Sequence, residues 1–157
     1  MLTKRFKYLC MSLLAMVFSL SLTSCSQDDD EAMTLDGIWQ GVIEGDYYHQ
    51  HYEIDDLWET EIQFAEHGFT SSGRGKEMDY AVNSGRLYLS FFDWEIIGGN
   101  IHMFYDDGYR VVITKYYLYW QRDNVLRFRG CFSDYDTGNT VATFDLVKVS
   151  DWTRLED

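Results

Sequence analysis

Hydrophobic and polar residues alternate along most of this chain. In "LWETEIQFAEHG" Trp58, Ile62 and Phe64 fall on one parity, and Glu59, Glu61 and Gln63 on the other. That period of two is the signature of a strand with one buried face. "GIWQGVIEG" before it is a strand bounded by glycines. "FTSSGRGKEMDYAV" is more polar and reads as a strand with a loose entry. "RLYLSFFDWEII" is a long strand, and "GGN" after it is a strong hairpin turn. "IHMFYDDGYRVVITKYYLYW" gives two strands around Asp106-Asp107-Gly108. In "VLRFRGCF" Leu126, Phe128 and Phe132 share a face, with Arg127 and Arg129 opposite. "SDYDTGN" then turns the chain into "TVATFDLVKV". About eight strands on short turns predict an all-β antiparallel meander, which loses its edges by closing into an up-and-down barrel. A two-sheet β-sandwich is the alternative.

The first residues follow another pattern. Lys4, Arg5 and Lys7 precede an apolar run over 9–22. The run is shorter than the ~20 residues of a membrane-spanning helix and has the layout of a secretory signal. Leu22-Thr23-Ser24-Cys25 resembles the bacterial lipobox, in which the cysteine is lipidated and becomes the first residue of the mature chain. The resemblance implies a signal peptide over 1–24 and a lipid anchor on Cys25. "SQDDDEA" then carries a block of like charge and predicts a solvated, unfolded tether over 25–34, with the domain spanning 35–157. Ser26, Asp28, Asp29, Asp30 and Glu31 also resemble the acidic export signal of Bacteroidetes surface lipoproteins, with Gln27 interrupting it. Ser26 after the cysteine, where an aspartate would retain the protein at the inner membrane, points to the outer membrane. The expected location is the cell surface, with the periplasm-facing leaflet as alternative.

Charge and cysteine use narrow the function classes. The chain has 26 acidic and 13 basic residues, a net charge of −13, which makes nucleic acid a poor partner. Removing Cys10 with the leader and lipidating Cys25 leaves Cys131 alone, so stability must come from packing rather than a disulfide. The chain has no proline and is 17% aromatic, both favourable to long strand ladders.

Gly37-Ile38-Trp39 opens the first strand and looks like the G-x-W signature of lipocalins. The order of strands over most of 35–149 also resembles small lipocalin-like lipoproteins of Bacteroidetes. The resemblance implies that Trp39 plugs the closed end of a barrel beside Gly37. It also implies a basic residue of the last strand over the indole, and Lys148 has the parity for that role.

Chemistry-bearing motifs are few. His49, His51 and Glu53 share one parity, as metal ligands on a strand would, but they sit in an aromatic-rich loop and are read as solvated. Asp134, Asp136 and Asn139 resemble part of a calcium loop but have Asp145 where a bidentate glutamate belongs, so a hairpin turn explains them. No metal site or cofactor is assigned. Phosphate loops, nucleophile elbows and H-E-x-x-H are missing from the sequence, and the chain is read as a non-enzyme. Aromatics remain. In "KYYLYW" Tyr117 and Tyr119 lie on one face, with Tyr116, Leu118 and Trp120 on the other. One row packs the core, while the other faces the barrel lumen, a partner or the surface. Trp94, Tyr105, Tyr117, Tyr119 and Trp120 are the candidates for stacking on a ligand. The predicted function is that of a surface-anchored lipoprotein whose barrel binds a small apolar or aromatic-stacking ligand. The alternative is a filled barrel serving as an envelope protein-interaction or glycan-binding accessory module.

Overall fold

The structure is a computed structural model that describes residues 27–45, 57–68 and 70–151. A short helix, α1 (27–35), leads into eight strands. These are β1 (Gly37–Gly45), β2 (Leu57–Glu66), β3 (Ser72–Ala81), β4 (Arg86–Ile97), β5 (Asn100–Tyr105), β6 (Arg110–Trp120), β7 (Leu126–Asp134) and β8 (Thr140–Ser150). Each pairs antiparallel with the next, and β8 returns to pair with β1. The result is the closed, lipocalin-like up-and-down barrel expected from the alternation, rather than a sandwich.

Alternation along each strand sends one row inward. Trp39 and Ile43 of β1, Trp58, Ile62 and Phe64 of β2, Phe92, Trp94 and Ile96 of β4, and Phe128 and Phe132 of β7 are all buried. Their rings meet edge-on, with Phe128 and Phe144 centroids 4.6 Å apart and Phe64 5.6 Å from Trp94. β3 makes room for these rings. A Cβ on Gly75 would lie 2.1 Å from the Phe92 ring, and one on Gly73 would lie 2.8 Å from Trp94. The glycines that look like punctuation are the small partners of large aromatics, which lets facing layers interlock.

The acidic segment 28–34, expected to be an unfolded tether, is instead helical and packed on one end of the barrel. Ala32 and Leu35 are completely buried there, so the folded unit starts before residue 35. Five hydrogen bonds explain the correction. The Asp28 carboxylate accepts the N–H groups of Gly98 and Gly99 in the β4–β5 turn, at 3.1 and 3.0 Å. Glu31 accepts a hydrogen bond from the Tyr116 hydroxyl. At the other end of α1, the Thr34 and Leu35 carbonyls accept from Lys148 Nζ (3.1 Å) and Trp39 Nε1 (2.7 Å). Acids in the first turn and a cation at the last match the helix dipole, so the same charges that suggest disorder favour this helix once a barrel is present to dock on.

β6 changes face partway. Val111 and Ile113 point inward, but the register shifts between Thr114 and Tyr117. Lys115 there has φ +52°, a left-handed conformation that side chains seldom adopt. This bulge turns Tyr116 and Leu118 toward the core and leaves Tyr117 70% exposed.

Candidate functional site

The two ends of the barrel are built differently. At the shut end, α1 covers a floor formed by Trp39, Phe64, Trp94 and Phe128. The β1–β8 register sets Lys148 opposite Trp39, with its ammonium 5.7 Å from the indole centroid. Gly37, at φ +133°, passes so close that a Cβ there would lie 2.5 Å from Lys148 Cε. Gly37, Trp39 and Lys148 therefore form one assembly, and Lys148 also pairs with Asp151 at 2.8 Å.

At the opposite end, the mouth, the inner surface turns polar. The inward row of β3 runs Gly73, Gly75, Glu77, Asp79, Ala81, with Glu77 1% and Asp79 5% exposed. Thr60 of β2 is buried beside them and donates to Asp79 Oδ1 at 2.6 Å. Tyr105 of β5 donates its hydroxyl to Glu77. Glu77 hydrogen-bonds the Asp79 carboxyl in turn. Burial pushes Asp79 up to about 6, against the opposing pull of Thr60 and Glu77. Below that pH the two carboxyls in contact hold a proton between them, which relieves the repulsion of two like charges.

Aromatic rings flank this polar layer. Phe92 packs at a tilt against Tyr105 with centroids 5.4 Å apart, and Tyr109 lies beside Tyr105 at 5.9 Å. Burial first, then the charges of Asp134, Glu77 and Asp107, push the Tyr109 phenol up to about 12, so it remains a donor. Trp58 is buried against Tyr88 across the same rim, at 5.7 Å. A layer of carboxyl, hydroxyl and phenol groups between rings can hydrogen-bond one end of a small molecule and stack on the rest.

The five aromatic candidates separate in the structure. Tyr105 belongs to the mouth layer. Trp94 is core, 1% exposed, and donates Nε1 to the Arg74 carbonyl at 3.2 Å. Tyr117 and Tyr119 face away from the lumen, opposite Arg129 and Arg127, while Trp120 continues the row of Leu118 opposite Leu126 at the barrel end, where it is 67% exposed. The sequence reading missed Glu77, Asp79 and Thr60. On β3 Met78 and Tyr80 carry the apolar parity, which places the carboxylates outside if that strand is read alone. The Phe64–Gly75 and Gly75–Phe92 pairings settle the register the other way.

Cys25, Ser26, His49, His51 and Glu53 lie outside the described residues. Asp134, of the calcium-like turn, accepts the Thr137 N–H and hydroxyl, each at 2.7 Å, and Asp136 pairs with Arg110 at 2.9 Å. Among the described residues no group of three metal-ligating side chains comes together. No protein-family model matches the chain, and no curated protein matches it.

Proposed function

We propose that this protein is a lipid-anchored envelope lipoprotein whose barrel holds a small ligand at its mouth. The observation that carries the reading is the buried polar layer of Thr60, Glu77, Asp79 and Tyr105 in an otherwise ring-packed lumen. Burying carboxyls costs stability, and such groups cluster where a site needs them. The ligand class follows from charge. A buried carboxyl pair in a chain of net charge −13 disfavours anions. It favours a ring or alkyl body with a neutral or cationic hydrogen-bonding head. The activity is binding rather than catalysis.

The anchor reading supplies an orientation. Cys25 lies two residues before α1, and α1 docks on the shut end. An acyl group on Cys25 would hold that end at the outer membrane and turn the mouth away from it, toward the medium if the protein is exported to the surface.

A matched pair of probes tests the binding reading. Tryptamine and indole-3-acetate share a ring and differ in the sign of their charge. By titration calorimetry tryptamine should bind, indole-3-acetate should not, and Glu77→Gln should weaken tryptamine. Equal binding of both probes, or of neither, contradicts the reading. The anchor is tested by mass spectrometry of the mature N-terminus, where an unmodified Cys25 counts against it.

A further inference from the structure

A second surface lies around β6, away from the mouth and reaching α1. Two grooves meet on β6. The larger, of about 770 Å³, runs over β6, β7, β8 and β1, past Lys115, Tyr117, Arg129, Asp145 and Glu44. The smaller, of about 470 Å³, lies between β6 and α1, past Glu31 and Trp120. Tyr117 and Leu118 line both, so the two adjoin at these side chains. Tyr117 and Trp120 are 70% and 67% exposed, the most exposed large hydrophobic side chains among the described residues.

From this surface we infer that the β6 grooves form a binding site for a neutral oligosaccharide. Three independent features lead there. The first is the bulge. Left-handed Lys115 is a strained backbone position, and the register shift there turns Tyr117 outward instead of into the lumen row of Val111 and Ile113.

The second feature is charge. The chain has twice as many acids as bases, yet the larger groove is balanced, with Lys115 and Arg129 against Glu44 and Asp145. Asp145 is gripped by Arg129 at 3.2 Å and by Arg127 at 3.1 Å. Donors and acceptors side by side suit hydroxyl groups, which both donate and accept, and the further acids Asp30 and Glu31 of the smaller groove disfavour an anion.

The third feature is shape. Sites for small ligands are concave and roughly 300–1,000 Å³ in volume, whereas a protein partner needs a contact of about 800 Å² per side. Two adjoining grooves, with Tyr117 between them and Trp120 in the smaller, fit a chain of sugar rings whose C–H faces lie on these two side chains. The Glu31 carboxylate, fixed by the Tyr116 hydroxyl, is a ready acceptor in the smaller groove.

The test uses the full mature protein and three neutral hexasaccharides, of xylose, glucose and mannose, with a heparin hexasaccharide as the anionic comparison. Calorimetry should give a Kd below about 1 mM for at least one neutral chain. Tyr117→Ala/Trp120→Ala should weaken that chain about tenfold or more, the loss of two ring contacts. Both side chains are exposed, so the double variant should unfold at the wild-type temperature. The mouth variant Asp79→Asn should leave the sugar affinity unchanged, which separates this proposal from the lumen reading. Failure of every neutral chain to bind, tighter binding of heparin, or full affinity in the double variant would overturn it.

Discussion

The shut end and the mouth of this barrel are buried to the same degree and filled with opposite chemistry. Trp39 at one end is 0% exposed, and Glu77 toward the other is 1% exposed. Removing an indole from water stabilises the fold, whereas removing a carboxyl costs free energy even when it is hydrogen-bonded. The shut end therefore reads as the part of the molecule that holds the fold. The mouth is the part that gives up stability, as binding sites commonly do.

That contrast predicts a ranked series of effects. Trp39→Ala removes the plug, its edge contact with Phe128 at 5.3 Å and its bond to the Leu35 carbonyl. It should cost about 3–5 kcal/mol in urea unfolding. Gly75→Ala forces a methyl to within 2.1 Å of the Phe92 ring and should cost about 1–3 kcal/mol by the same measurement. Asp28→Ala frees the β4–β5 turn from α1 and should cost about 1 kcal/mol. Lys148→Met keeps most of the aliphatic stem and loses the ammonium over the Trp39 ring and its bond to the Thr34 carbonyl. Its cost should also be near 1 kcal/mol, well below that of Trp39→Ala.

The mouth should show itself through pH. The Asp79 carboxyl titrates at about 6 in the fold against an ordinary 3.8, so folding favours its protonated form. The resulting stabilisation is complete below the ordinary value and is lost as pH rises through about 6. The melting temperature of the wild type relative to Asp79→Asn should fall between pH 4 and 6 and then level off. A difference that stays flat across that window would place Asp79 in contact with water.

Most of the fold is legible in the sequence because strand alternation is a local signal. The inward rows of β2 and β7 follow directly from Trp58, Ile62 and Phe64, and from Leu126, Phe128 and Phe132. What is hidden depends on neighbours. α1 carries only Ala32 and Leu35 as buried apolar residues among its acids, too few to register as an amphipathic stripe without the barrel end they cover. On β3 the apolar parity of Met78 and Tyr80 faces outward, because Gly73 and Gly75 must face the rings of Trp94 and Phe92. That one inversion conceals Glu77 and Asp79, and with them the mouth. On β6 the shift at Lys115 breaks a parity that the sequence carries unbroken, so the surface position of Tyr117 is legible only once the pairing with β7 is known.

The central claim is that the mouth layer serves binding at the expense of stability. The most direct measurement is the melting temperature of the wild type and of Glu77→Gln/Asp79→Asn at pH 8, each with and without tryptamine. The account predicts an unliganded double variant at or above the wild-type melting temperature, with the ligand-induced rise abolished. A double variant that melts well below the wild type, as Trp39→Ala should, and still gains the full rise with tryptamine would make the layer structural and contradict the account.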